Sequence, residues 1–159
     1  MHKTKNSLSE NIRAKSVELL NTHLAAGIDL QGQIKQAHWN VRGPNFIAIH
    51  ELFDKVSDVV LVQIDTIAER AAALGGVAEG TVQTAASKSF LKPYPLKIAD
   101  EKQHIEAVAT VLAAFGDSVR KAIDTADGDG DADTADLFTA ISREVDQQVW
   151  LIESHLSPR

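Results

Sequence analysis

Two histidines and three carboxylates lie close together in this chain: His38, His50, Asp54, Asp65 and Glu69. Imidazole with carboxylate is a ligand set for borderline or hard cations, suited to iron, manganese or zinc, and nothing in it is soft. At about 100° per residue, Leu20, Leu24, Gln31 and His38 fall within roughly 40° on one side of a helix. On the next segment His50, Asp54, Ser57, Leu61, Asp65 and Ala68 fall within a band of roughly 80°, with Glu69 at its edge. Ionisable groups on a buried apolar face are costly unless paired or bound to metal. A single histidine on such a face is usually a hydrogen-bonded core residue, and His50 with Asp54 at i, i+4 makes a local pair. Spacing alone leaves pairing and metal ligation both open.

Geometry adds a constraint. Asp54 and Asp65 stand eleven residues apart, roughly 16 Å along a helix at 1.5 Å per residue. They cannot reach one ion from one chain. For the two halves to share a site, a second subunit must lie antiparallel, so that His50 and Asp54 of one chain face Asp65 and Glu69 of the other. Such a contact is isologous and creates two equivalent sites per pair.

Four long helices are needed to position these residues. "SLSE" at 7–10 fits a capping box with Ser7 as cap and Glu10 three residues later, and Ile12, Leu20, Leu24, Ile28 and Ile34 follow at helical spacing. "RGP" at 42–44 ends this segment. A second helix is expected from a cap at Asn45 to Leu74, stopped by Gly75 and Gly76. A third is expected from Leu96 to about Ala126 and a fourth from about Thr134 to Leu156. The connection from Gly76 to Pro95 is about 20 residues, long for a simple loop, and "TVQTAASKS" within it suits a short extra helix. Short, long, short connections predict an all-α, ferritin-like four-helix bundle with one crossover between helices 2 and 3. Residues 1–6 read as a short tail and 7–159 as one domain.

Composition narrows the function classes. With no cysteine among 159 residues, disulfides, zinc fingers and thiol catalysis are excluded. The N-terminal stretch lacks the apolar core of a signal peptide, and the longest aliphatic run, "VVLV" at 59–62, is too short to span a bilayer. A cytoplasmic protein is expected. A net charge of −6 argues against a generally basic nucleic-acid surface.

The stretch "KQAHWNVRGPNFIAIHELFDKVSD…DTIAERAAALGG" (35–76) resembles the Dps proteins, the mini-ferritins named as DNA-binding proteins from starved cells. The resemblance extends over nearly the whole chain, through "LKPYPL" (91–96), "DTADLFTA" (133–140) and "WLIES" (150–154). It implies a hollow dodecamer of four-helix subunits that oxidises Fe(II), preferably with hydrogen peroxide, stores ferric mineral inside and protects DNA from oxidative damage. It further implies inter-subunit iron sites, with His38, His50 and Asp54 from one chain and Asp65 and Glu69 from its neighbour. By the same resemblance Trp39 is an aromatic guard beside the iron, and Asp133 and Asp136 line three-fold entry pores. Nucleoid association through direct DNA binding is the alternative role.

Other motifs carry less. "DGDGDAD" at 127–133 looks like a calcium loop, but Ala132 and Phe138 stand where an EF-hand needs Gly and Glu. "EKQH" at 101–104 contains the Glu-x-x-His of larger ferritin-like di-iron proteins, but only once, and reads as surface charge. Trp150 lies off the apolar stripe of the fourth helix and suits a subunit contact. For DNA, the tail offers Lys3 and Lys5, and "SHLSPR" at the C-terminus one further arginine.

Overall fold

The computed structural model describes residues 1–156; the C-terminal arginine noted above lies outside them. Five helices follow in order: α1 (Glu10–Asn40), α2 (Phe46–Ala73), α3 (Val82–Lys88), α4 (Glu101–Gly128) and α5 (Ala132–Glu153). Among the described residues there is no strand. Helices α1 and α2 pack as one antiparallel hairpin and α4 and α5 as another. The long connection carries α3 across α1, as expected from the chain's pattern of connections.

The helix starts differ from the sequence expectation in instructive ways. Ser9, not Ser7, caps α1: its hydroxyl accepts the Ile12 N–H at the third helical position. Glu10 is therefore the first helical residue and meets the positive end of the helix dipole instead of closing a capping box. Asn45 precedes α2 as expected but makes no side-chain cap. Its side-chain amide and its backbone N–H both donate to the Glu101 carboxylate. α4 starts at Glu101 rather than Leu96, because Asp100 accepts the Gln103 N–H as its cap and Leu96 is an exposed residue of the connection. α5 starts at Ala132, two residues early, because Asp131 supplies the cap, and it ends at Glu153 rather than Leu156.

Two glycines act as stops. Gly75 (φ +83°) and Gly130 (φ +90°) adopt the left-handed conformation after α2 and α4. The following N–H groups of Gly76 and Asp131 reach back to Ala71 and Ala126, closing a Schellman turn at each helix end. The core between the four long helices is apolar, with Phe53, Phe115 and Phe138 fully buried among Leu20, Leu30, Ile34, Val60, Ile67 and Leu112.

His23 is an ionisable ring buried in that core, 4.9 Å from the Phe138 ring centroid. Its Nδ1–H donates to the Leu19 carbonyl and its Nε2 accepts from the Ser118 hydroxyl. Burial pushes its pKa below the usual histidine value, so the ring is neutral and satisfied within the chain. His104 corrects the surface reading of "EKQH": it is buried, and its Nδ1 shares a 2.6 Å hydrogen bond with the Tyr94 hydroxyl. Burial also lowers its pKa, the Asp100 charge working the other way. Glu101 of the same motif is the anchor for Asn45, so the motif fastens α4 to the α1–α2 turn.

Candidate metal centre

At the end of the α1–α2 hairpin the chain brings His38 and His50 face to face. Their rings stack 3.7 Å apart at 21°. Each Nδ1–H donates to the other residue's backbone carbonyl, both at 2.8 Å. The His38 carbonyl is free for this because α1 ends at Asn40 and leaves its last turn without helical donors. A carbonyl can only accept, so each ring donates through Nδ1, which leaves Nε2 as the atom able to ligate. This is how a metal-ligating histidine is held: one nitrogen fixed by an outer hydrogen bond, the other free to ligate.

One helical turn further into the hairpin stands Asp54. The two helices are antiparallel, so stepping from His38 back to Lys35 on α1 matches stepping from His50 on to Asp54 on α2. The Lys35 ammonium donates to Asp54 Oδ1 at 2.6 Å, and His38 Nδ1 is 3.8 Å from the same oxygen. The hydrogen bond from the Lys35 ammonium above all holds the Asp54 carboxyl below the usual carboxylate range, against the opposing effect of desolvation. A further turn along, the Gln31 amide donates to the Ser57 hydroxyl. The seam is therefore a ladder of polar rungs: His38 with His50, Lys35 with Asp54, Gln31 with Ser57. Lys35 escapes a sequence reading because a lysine is the commonest solvent-facing residue, and only the inter-helix register sets it against Asp54.

The band on α2 is not a wholly buried face, as its pattern suggests: of its members Ser57 is buried and the others are partly or fully open. His50 and Asp54 are half-buried, Asp65 and Glu69 are exposed, and Leu61 and Val62 between them are 54% and 66% exposed. Leu61, Val62, Ile64 and Ala68 of α2, with Leu24 and Ile28 of α1, line a groove of about 480 Å³ that also reaches Asp65. The physical reason for the misreading is that periodicity reports an apolar face without saying what covers it. Because α2 runs unbroken from Phe46 to Ala73, Asp65 and Glu69 stay turns away from the histidines. Among the described residues of one chain, no three His, Asp or Glu side chains close around a single ion.

Trp39, next to His38, is 68% exposed, with the Lys35 ammonium 6.0 Å from its ring centroid. Trp150 is also exposed, outside the bundle core. Asp133 and Asp136 lie exposed on the first turns of α5. Neighbouring Asp131 is different: it is buried, accepting from the Thr134 N–H and hydroxyl and from the Arg70 guanidinium. Burial would raise its pKa, but the Thr134 hydrogen bonds and the Arg70 charge outweigh it and hold the carboxyl below the usual range. Lys3 and Lys5 are exposed on a tail that folds back on the body, where the His2 N–H donates to the Gly75 carbonyl at 2.6 Å.

A four-helix bundle with a crossover and an imidazole–carboxylate site on its first hairpin defines a ferritin-like protein, and the ferritin-like domain family matches residues 17–158. The DNA protection during starvation protein of Agrobacterium fabrum is 44% identical over 99% of this chain and 98% of its own length. Among solved structures, a Mycobacterium smegmatis Dps superposes with a TM-score of 0.93 at 30% identity, covering 99% of this chain and 95% of the other. Streptomyces coelicolor DpsA14 gives 0.91 at 34% identity, covering 98% and 92%. The chain belongs to the Dps family.

Proposed function

We propose that this protein oxidises Fe(II) with hydrogen peroxide, stores the ferric product inside a hollow homo-oligomeric shell of twelve subunits, and so protects DNA from oxidative damage. The observation that carries the reading is the stacked His38–His50 pair beside Asp54, with both Nδ1 atoms tied to carbonyls and, among the described residues, no hydrogen bond made by either Nε2. In an antiparallel two-fold pair, the apolar middle of α2 covers the same surface on its partner. The His38, His50 and Asp54 end then meets Asp65 and Glu69 of the partner subunit.

Fe(II) is the substrate. Carboxylates stabilise Fe(III) more than Fe(II), which favours loss of an electron. Two Fe(II) ions held together each give one electron to one peroxide; the O–O bond breaks and two protons complete two waters, so no hydroxyl radical is released. His38 and His50 would ligate through Nε2, with each ring held in orientation by its Nδ1 hydrogen bond. Trp39 shields the site from solvent and quenches stray oxidising equivalents. Asp133 and Asp136, brought together around three-fold axes, draw cations toward the interior.

Direct DNA binding is the second reading, resting on exposed Lys3 and Lys5. The fold-back of the tail at His2 shortens its reach, which supports protection through iron chemistry instead. A low-salt gel shift separates the two, since retardation of duplex DNA by a variant lacking its iron ligands favours direct binding. The main reading is tested with His50→Ala combined with Asp54→Ala. Oxidation of Fe(II) by peroxide is expected to slow by about tenfold or more with assembly intact. An unchanged rate would remove these residues from the site.

A further inference from the structure

We infer that Glu101, the first residue of α4, is a positioning residue for the His38–His50 pair. Seated against Gly43, its carboxylate fixes where α2 begins and so where His50 meets His38. The inference rests on the reading of those histidines as cation ligands.

The turn between the two helices carries it. Both carboxylate oxygens accept from Asn45, Oε2 from the backbone N–H at 3.0 Å and Oε1 from the side-chain amide at 2.8 Å. Hydrogen bonds to a charged acceptor are the stronger kind, and two of them fix orientation as well as distance. Asn45 is the residue from which α2 sets out: its carbonyl accepts the Ile49 N–H at 3.1 Å. One residue on, the Phe46 ring lies 5.1 Å from the His50 ring, which stacks on His38. The start of α4 can hold this turn because it is itself held. Asp100 caps it, His104 bonds to Tyr94, and Ile105 and Val108 are buried in the core. α4 packs chiefly on α5 and α1, and Glu101 extends that grip to the start of α2.

Gly43 completes the clasp. Its φ lies outside the left-handed region, so the backbone of the turn does not itself require glycine. Glu101 is what excludes a side chain: a Cβ at position 43 would overlap Oε2 and stand 2.7 Å from Cδ and 2.9 Å from Cγ. An alanine there expels a flexible carboxylate and leaves the turn able to form. Ligand sites tolerate misplacement of only about 0.5 Å, so release of the turn is felt at the imidazoles.

The test is an anaerobic titration of the full-length assembled protein with cobalt(II) alone, read by its ligand-field absorption bands. Thermal melting and sedimentation velocity check folding and assembly. Glu101→Ala and Gly43→Ala are each expected to weaken cobalt binding about tenfold and to shift the bands. Glu101→Gln keeps one acceptor oxygen and is expected to fall between the native chain and Glu101→Ala. Because Gly43→Ala acts by displacing the carboxylate, adding it to Glu101→Ala is expected to cost nothing more. Native bands and affinity in Glu101→Ala, with only the melting temperature lowered, overturn the positioning role and leave the site standing. Losses that simply add in the double variant overturn the clasp against Gly43. Unchanged binding in His50→Ala combined with Asp54→Ala overturns the site itself, and the positioning role with it.

Discussion

The two hairpins of this bundle are built alike and finished differently. At the α4–α5 corner the buried carboxylate is answered within the chain: Asp131 caps α5, binds Thr134 and takes the Arg70 guanidinium while almost wholly buried. On the α1–α2 hairpin the polar rungs are made, but Asp65, Glu69 and the apolar strip at Leu61 and Val62 are left exposed. The same contrast separates two histidines of α1. His23 has both ring nitrogens satisfied by Leu19 and Ser118, whereas His38, among the described residues, bonds through Nδ1 alone. The difference teaches that a closed polar cluster stabilises a fold, and one closed on a single side is available for a ligand or a second subunit.

The comparison can be broken most sharply at the apolar strip. Leu61→Asp with Val62→Asp alters residues already exposed in the single chain, so helicity is expected to be retained. Self-association, read by sedimentation velocity, is expected to be lost, together with Asp54-dependent cobalt binding. A variant that still assembles would show that another face makes the two-fold contact. The opposite result is expected at the α4–α5 corner. Asp131→Ala removes a cap and leaves Arg70 without its buried partner, so denaturant unfolding should show a loss of about 3–5 kcal/mol. Cobalt affinity should not move if folded protein is compared with folded protein.

Smaller effects sharpen the histidine contrast. Because the folded-state pKa of His23 is depressed, the unfolded chain takes up the proton first as pH falls. Its contribution is therefore complete above about pH 6.5 and is lost as the pH drops from there toward the depressed folded-state value. His23→Leu is expected to flatten the dependence of unfolding free energy on pH across that window, with the share owed to His104 remaining. An unchanged slope would mean that the buried ring is not what the acid limb reports. Gln31→Leu breaks the last rung against Ser57 and should cost about 1 kcal/mol or less, visible only as a slight shift in the melting curve.

Much of this architecture is written in local pattern. The stripes of Leu, Ile and Val show α1, α2, α4 and α5; Gly75 and Gly130 show where two helices stop; and "TVQTAASKS" contains α3. The ligand candidates are legible too, because His38 and the α2 band recur at the helical period. What misled was competition between similar signals: Ser7 and Ser9 both suit a cap, and only Ser9 lies where its hydroxyl meets the third N–H of the helix. "EKQH" looked like solvent charge because helical phase does not reveal that the Tyr94 loop folds over His104.

The sequence by itself determined the all-helical class, the approximate helix spans, the residue types of the candidate ligand set and the fact that Asp54 and Asp65 cannot serve one ion from one chain. Each of these depends only on residue type and rise per residue. The tertiary structure decided which residues stand opposite one another: His38 on His50, Lys35 on Asp54, Gln31 on Ser57, and Glu101 on the turn that holds the pairing in place. Periodicity assigns a residue to a face of its own helix, but the register between two helices is set by the connecting turn and by the third helix that clamps it. The stacked imidazoles and the lysine-held carboxylate exist only at that level.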